Sequence, residues 1–274
     1  MTATMTPTSG DVLRQWRKAR RLSQLELSVA AGVSQRHLSF LETGRSAPSR
    51  EMVIHLATIL DVPLRDRNRW LAAAGYAAIY TERGLDEPAM NQVRHVLELL
   101  LDAHQPFPAY VVDRAWNLVM TNPPAVALIG MMVTPDKAAL FEGNIMRLFM
   151  HPDGMREHVV NWDSAAAALM RRLERELTER PGDTALTSLL DEVRAYPGVD
   201  QLPDRPKLPS GSDLLVPLHV RTPVGEMRLL TTIATIGAPF DVTLEELRLE
   251  TLLPADPETE SILRSLAVSA PWQG

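Results

Sequence analysis

The stretch from Leu22 to Arg45, LSQLELSVAAGVSQRHLSFLETGR, gathers the side chains best placed for specific chemistry. It reads as two short helices joined by a tight turn, and Ser34, Gln35, Arg36 and His37 open the second. A helix that begins with hydrogen-bonding side chains and projects from a small helical unit is what enters the DNA major groove. The chemistry on offer is recognition rather than bond cleavage. The chain has no G-x-S-x-G elbow, no G-x-x-x-x-G-K-[ST] phosphate loop and no H-E-x-x-H pair. His151, Asp153 and His158 form the one cluster of metal-like composition in the sequence. There His151-Pro152-Asp153-Gly154 reads as a turn and a helix cap, because Pro and Gly set such bends. No metal, cofactor or catalytic residue is expected, and the chain does not read as an enzyme.

Five short helices are expected to hold that stretch. Gly10-Asp11 offers the first start, and Val12, Leu13, Trp16 and Ala19 recur at helical spacing. Ser23 and Glu26 form a capping box for the second helix, and Gly32 ends it at a position only glycine takes cheaply. Ser34 caps the third, which stops at Thr43-Gly44. Pro48-Ser49 opens a fourth, and Pro63 begins a fifth that Gly75 closes. Leu13, Leu27, Ala30, Leu38, Leu41, Val53 and Leu56 should form the core.

A chain of 274 residues is comfortable for two domains. Charge is divided unevenly between them. Residues 1–80 carry 11 Lys and Arg against 6 Asp and Glu, whereas residues 81–274 carry 17 against 28. A basic head on an acidic body suits a head that meets phosphates. The absence of cysteine excludes disulfides, thiolate metal sites and Cys nucleophiles. No apolar run approaches the ~20 residues of a membrane span. The N-terminus MTATMTPTSGD lacks the pattern of a signal peptide, so a short disordered tail over 1–9 and a cytoplasmic location are expected.

The order Leu22-Ser23-Gln24, Leu27, Gly32-Val33-Ser34, Leu38, Leu41-Glu42, Gly44-Arg45 and Pro48-Ser49 resembles the lambda-repressor/Cro-like, or XRE-like, helix-turn-helix family over residues 10–75. The resemblance implies that the helix from Ser34 to Glu42 reads DNA. Gln35 and Arg36 would contact base edges, since Gln pairs bidentately with adenine and Arg with guanine. Ser39 and Phe40 would reach a base edge or a thymine methyl. Gln24, Thr43 and Arg45 would meet phosphates, and Ser34 would cap the helix at the same surface. Arg17 and Glu42 hold the places of a partly buried ion pair tying the first helix to the third. The resemblance also implies a double-stranded operator as partner, with a homodimer expected to read half-sites about 34 Å apart.

Residues 76–90 read as a linker. A helix from Met90 to His104 should bury Val93, Val96, Leu97, Leu100 and Leu101. Ala109–Val112 and Trp116–Met120 read as strands around Asp113-Arg114, and a short helix starts at Pro123-Pro124. From Asp163 to Glu179 an apolar stripe of Trp162, Ala166, Leu169, Leu173 and Leu177 lies opposite Arg171, Arg172 and Arg175. The Pro-rich residues 197–211 read as a loop. Strands are expected over 214–221, 226–236 and 244–253, the last with Leu247, Leu249, Thr251 and Leu253 in period two, although 244–247 could also start a helix. Pro257 to Leu266 reads as a final helix. The fold class is therefore α+β in two domains: an all-α five-helix head, then a PAS-like body over 91–274 with a five-stranded antiparallel sheet and helices.

The element order, with Trp116-Asn117-Leu118-Val119 then Thr121-Asn122, and Asn144-Ile145-Met146-Arg147-Leu148-Phe149, resembles the ligand-binding domain of MmyB-like transcription regulators over about 90–254. The sequence departs from stronger matches at Met120-Thr121. The resemblance implies a cavity for a small apolar or amphipathic effector, fatty-acid-like at the family level. Tyr110, Trp116, Met146, Phe149, Met150, Trp162 and His219 are the candidate lining residues. Tyr110 and His219 stand out because a buried hydroxyl or imidazole needs a partner, which a carboxylate head group would supply. The alternative is a body that serves only dimerisation or protein docking.

Overall fold

The computed structural model describes residues 7–203, 217–237 and 239–269. Most of the expected tail, residues 204–211 of the expected loop and the 214–216 start of an expected strand lie outside the described residues. The chain divides into two units. The first comprises Met1–Arg83, Leu177–Gly182 and Ala238–Glu245; the second comprises the remainder.

Five helices build the first unit: α1 Ser9–Ala19, α2 Gln24–Ala30, α3 Gln35–Glu42, α4 Arg50–Ile59 and α5 Leu64–Ala73. Thr8, two residues before the Gly10-Asp11 start that the sequence suggests, caps α1 in a box with Asp11. Gly10 thus sits inside the helix. A Cβ there would stand 2.7 Å from the backbone oxygens of Leu41 and Glu42, so glycine lets α1 lie against the end of α3. Ser23 and Glu26 make the expected box on α2. Gly32 takes φ +64° in the turn to α3, which Ser34 caps. Leu13, Trp16, Leu27, Leu38, Leu41, Val53, Leu56 and Trp70 are buried together. Ala31, the residue that caps the end of α2, faces this core and Ala30 does not, while Leu25 and Val29 are exposed.

Pro63 offers α5 no side-chain cap. The carboxylate of Glu245 takes that role, accepting from the Leu64 N–H at 2.7 Å. Within the same unit Thr81 donates to Asp241 at 2.7 Å, and Asn68 bonds the backbone of Ile79 and Tyr80. Residues 76–83, which read as linker, are therefore ordered against α5.

The second unit carries α6 Asn91–Ala103, β1 Ala109–Val112, β2 Leu118–Thr121, α7 Pro123–Met132, α8 Pro135–Ala139, α9 Ile145–Met150, α10 Trp162–Glu179, α11 Thr184–Arg194, β3 Leu218–Thr222, β4 Gly225–Thr235, α12 Val242–Glu246, β5 Arg248–Pro254 and α13 Pro257–Ser269, with the end of α10 and nearly all of α12 assigned to the first unit. The strands form one antiparallel sheet in the order β2-β1-β5-β4-β3. Residues 244–246 take the helical option, which leaves β5 to start at Arg248. The register pairs Tyr110 with Glu250 and Glu250 with Ile233 across the three central strands. Side chains alternate along a strand, so Arg248, Glu250 and Leu252 share one face. On α6 only Leu97 and Leu101 of the expected stripe are buried; Val96, Leu99 and Leu100 are exposed.

Candidate functional site

Two sites emerge, one in each unit. The first is the exposed start of α3. Gln35 and Arg36 project from it and are exposed. Arg36 and Arg45 flank the Phe40 ring at 5.3 and 5.9 Å from its centroid, which packs two cations around one aromatic surface. Ser34 accepts from the His37 N–H, and the Thr43 hydroxyl donates to the Ser39 carbonyl. Those two hydroxyls hold the helix ends, and Ser39 lies half-buried between them.

Glu42 anchors this helix from behind. Its carboxylate accepts from Arg17 Nε at 2.5 Å and Arg17 Nη2 at 3.1 Å. Gln24 Nε2 donates to it at 2.8 Å, and Arg14 donates to the Glu42 carbonyl at 2.7 Å. Burial alone would raise the Glu42 pKa. The hydrogen bonds from Arg17 and Gln24, with the charges of Arg17 and Arg14, outweigh it and hold the carboxyl below its ordinary range. The resemblance makes Gln24 a phosphate anchor, and part of its amide is committed to Glu42. An amide has two N–H donors, so one remains.

The second site is a cavity of about 290 Å³ between the inner face of the sheet and α7, α9 and α10. Leu128, Ile129 and Met132 line it from α7, and Ile145, Met146 and Phe149 from α9. Along α10, Ala165, Ala168, Leu169 and Arg172 recur at helical spacing and all face it. The sheet contributes Tyr110, Leu218, Val220, Thr231, Ile233, Glu250 and Leu252. Alanines on α10 leave the space that larger side chains would fill.

One corner of this apolar cavity is polar. Arg172 donates to Glu250 at 2.6 Å and to Glu176 at 3.0 Å. Tyr110 donates to the other Glu250 oxygen at 3.2 Å. Burial, together with the charge and hydrogen bond of Glu250, pushes the Tyr110 hydroxyl well above its ordinary pKa, so it remains a donor. Arg248 pairs with Glu176, and Trp116 Nε1 donates to Glu176 at 3.0 Å. Arg172 and Arg248 stack on the Trp116 ring at 4.3 and 5.0 Å. The sequence reads Trp116 as the start of a strand, but β2 begins only at Leu118. Trp116 sits in the turn before β2 with φ +68°, a conformation that costs about 1–3 kcal/mol and persists where surroundings over-determine it.

Of the candidate lining residues, the structure brings Tyr110, Trp116, Met146 and Phe149 to the cavity. Met150 and Trp162 are buried elsewhere, Trp162 beneath the Arg156 guanidinium at 3.6 Å. His219 faces away and bonds Glu226 at 2.8 Å. The partners of Tyr110 and His219 are thus protein carboxylates. Arg172, which the sequence sets opposite the apolar stripe of α10, lines the cavity. Glu250, Glu176 and Arg248 do not stand out in the sequence, because the apolar alternation of Leu247, Leu249, Thr251 and Leu253 marks the opposite face of β5. The signal was present: Arg248 and Glu250 alternate on one strand face, and Arg172 and Glu176 stand four apart on a helix. His151 packs between Phe141 and Tyr196, and no group of three or more His, Cys, Asp or Glu could hold a metal among the described residues.

A helix-turn-helix with its reading face open, followed by a sheet-and-helix unit built around an apolar cavity, defines a DNA-binding protein with a ligand-binding body. Comparison with known families agrees. Residues 13–66 match the family described as helix-turn-helix, and residues 93–266 match the MmyB-like transcription regulator ligand binding domain. The chain belongs to this family of MmyB-like transcription regulators. No curated protein matches it. No helix among the described residues is long and apolar enough to cross a membrane.

The reading face makes a paired prediction. Arg36→Ala should cost about 1–3 kcal/mol of binding and relax preference at one base pair. Arg45→Ala should weaken all sequences alike and shallow the slope of log K against log salt by about 0.9. Titration of a selected operator and its single-base variants, at several salt concentrations, separates the two.

Proposed function

We propose that the chain regulates transcription by binding an operator through α3 and a small apolar or amphipathic effector, fatty-acid-like in its hydrocarbon part, through the cavity of its body. Gln35 and Arg36 read bases, Ser39 and Phe40 lie beside them, and Gln24, Ser34, Thr43 and Arg45 meet the backbone. The effector contacts Tyr110, Trp116, Met146 and Phe149. The observation that carries this reading is the cavity itself. Its volume is at the lower end of the ~300–1,000 Å³ typical of small-molecule sites and takes on the order of ten to twenty non-hydrogen atoms. A body used only for docking has no need of it.

A homodimer in the cytoplasm completes the reading, because one head offers few contacts and the exposed Val96, Leu99 and Leu100 on α6 supply an apolar stripe. Chain continuity gives the effector a route to the head. Residues 239–245 belong to the first unit, and the chain passes from them within three residues into β5, which carries Glu250. An effector shifts operator affinity only to the extent that it binds one arrangement better than the other. Native mass spectrometry of the full chain tests the reading: a retained small molecule of chain-like hydrocarbon composition is expected, and a chain that neither retains nor takes up any apolar molecule contradicts it.

A further inference from the structure

Resting on that reading of the cavity, we propose that it selects amphiphiles with an uncharged, hydrogen-bond-donating head group over carboxylates and ammonium ions of the same chain length. The charged residues lining the cavity are Arg172 and Glu250, with Tyr110 beside them. Immediately behind stand Glu176 and Arg248. These two cations and two anions are already mutually paired, Arg172 with both glutamates and Arg248 with Glu176. The side chains are between 2% and 14% exposed, so water does little to screen a fifth charge.

A carboxylate entering this corner has two options, both unfavourable. It can take Arg172 from Glu250, which leaves a buried anion with only the Tyr110 hydroxyl. It can instead lie beside the network as a third anion. An ammonium ion meets the mirror problem, since binding Glu250 displaces Arg172. A hydroxyl or amide N–H adds a bond to a Glu250 or Tyr110 oxygen and disturbs no pair. The neighbouring charges do not alter the balance. Asp113 is held by the N–H groups of Ala115 and Asn117, and Arg114 is paired with Asp183 and Glu246. Thr231, the other hydroxyl lining the cavity, is uncharged.

The test is calorimetric titration of the delipidated full chain with 1-decanol, decanoate and decylammonium at pH 8, where the acid is ionised and the amine protonated. Decanol is expected to bind at least about tenfold more tightly than either ion. Glu250→Gln removes one anion and should bring decanoate at least about tenfold closer to decanol. Decanoate binding as tightly as decanol to the unaltered chain overturns the head-group inference while the cavity reading stands. Failure of all three to bind overturns both. Should Glu250→Gln lose its thermal unfolding transition, the ratio in the unaltered chain decides alone.

Discussion

Glu42→Ala should destabilise the head by about 3–5 kcal/mol, the usual result of removing one partner from a buried ion pair. The side chain is 2% exposed and collects Arg17, Gln24 and the edge of Arg14. Its loss leaves the Arg17 guanidinium, 12% exposed, with the Leu22 carbonyl as its remaining acceptor among these bonds. A small domain has only about 5–15 kcal/mol to lose, so the urea midpoint should fall sharply and operator binding with it. The double change Arg17→Met with Glu42→Leu should recover much of the loss, because apolar side chains of similar volume leave no buried charge behind. The sign of the pH effect follows from the lowered pKa. A carboxyl titrating below its ordinary 4.5 stabilises the folded head above that pH, and the contribution disappears as pH falls through the depressed value. Urea midpoints measured from pH 7 to 3 should drop in the unaltered chain and drop less in Glu42→Gln.

Ala165→Phe should abolish effector binding, with a loss of at least about a hundredfold, equivalent to ~2.7 kcal/mol. Ala165 lies on α10 one and two turns before Leu169 and Arg172, and its methyl faces the cavity. A phenyl ring there occupies space that the effector needs, and the cavity can take it without displacing packed side chains. Stability should therefore hold or rise. Calorimetry with a bound alkyl ligand, beside a thermal melt, separates a filled cavity from a damaged fold. Unchanged affinity in a folded variant would place the effector elsewhere.

Much of the head was legible because its signals are local. Ser23 and Glu26 make a capping box by spacing alone, Gly32 marks a turn only glycine enters cheaply, and Arg17 and Glu42 stand at offsets fixed by the helix-turn-helix pattern. Ala30 was misplaced because a seven-residue helix with apolar side chains all round does not declare its inner face; packing chose Leu27 and Ala31. The body was legible in its order of elements and its sheet, since alternation and turn residues are also local. Its polar corner was not. Arg172, Glu176, Arg248 and Glu250 lie up to 78 residues apart and meet only when β5 takes the centre of the sheet. Charged residues in a sequence are ordinarily solvated, and their mutual neutralisation becomes visible only in three dimensions. The Leu-rich alternation of 247–253 pointed to the opposite face of the strand for the same reason.

Regulation by an effector requires one coupling, that an occupied cavity changes how the head binds DNA. The direct measurement compares the affinity of the full chain for an operator chosen by selection from random sequence, before and after the retained small molecule is stripped, and again on adding it back. A reversible change of at least about fivefold is expected, with no change in the Ala165→Phe variant. Equal operator affinity in the loaded and stripped chain would contradict it and leave the body a scaffold for pairing the heads.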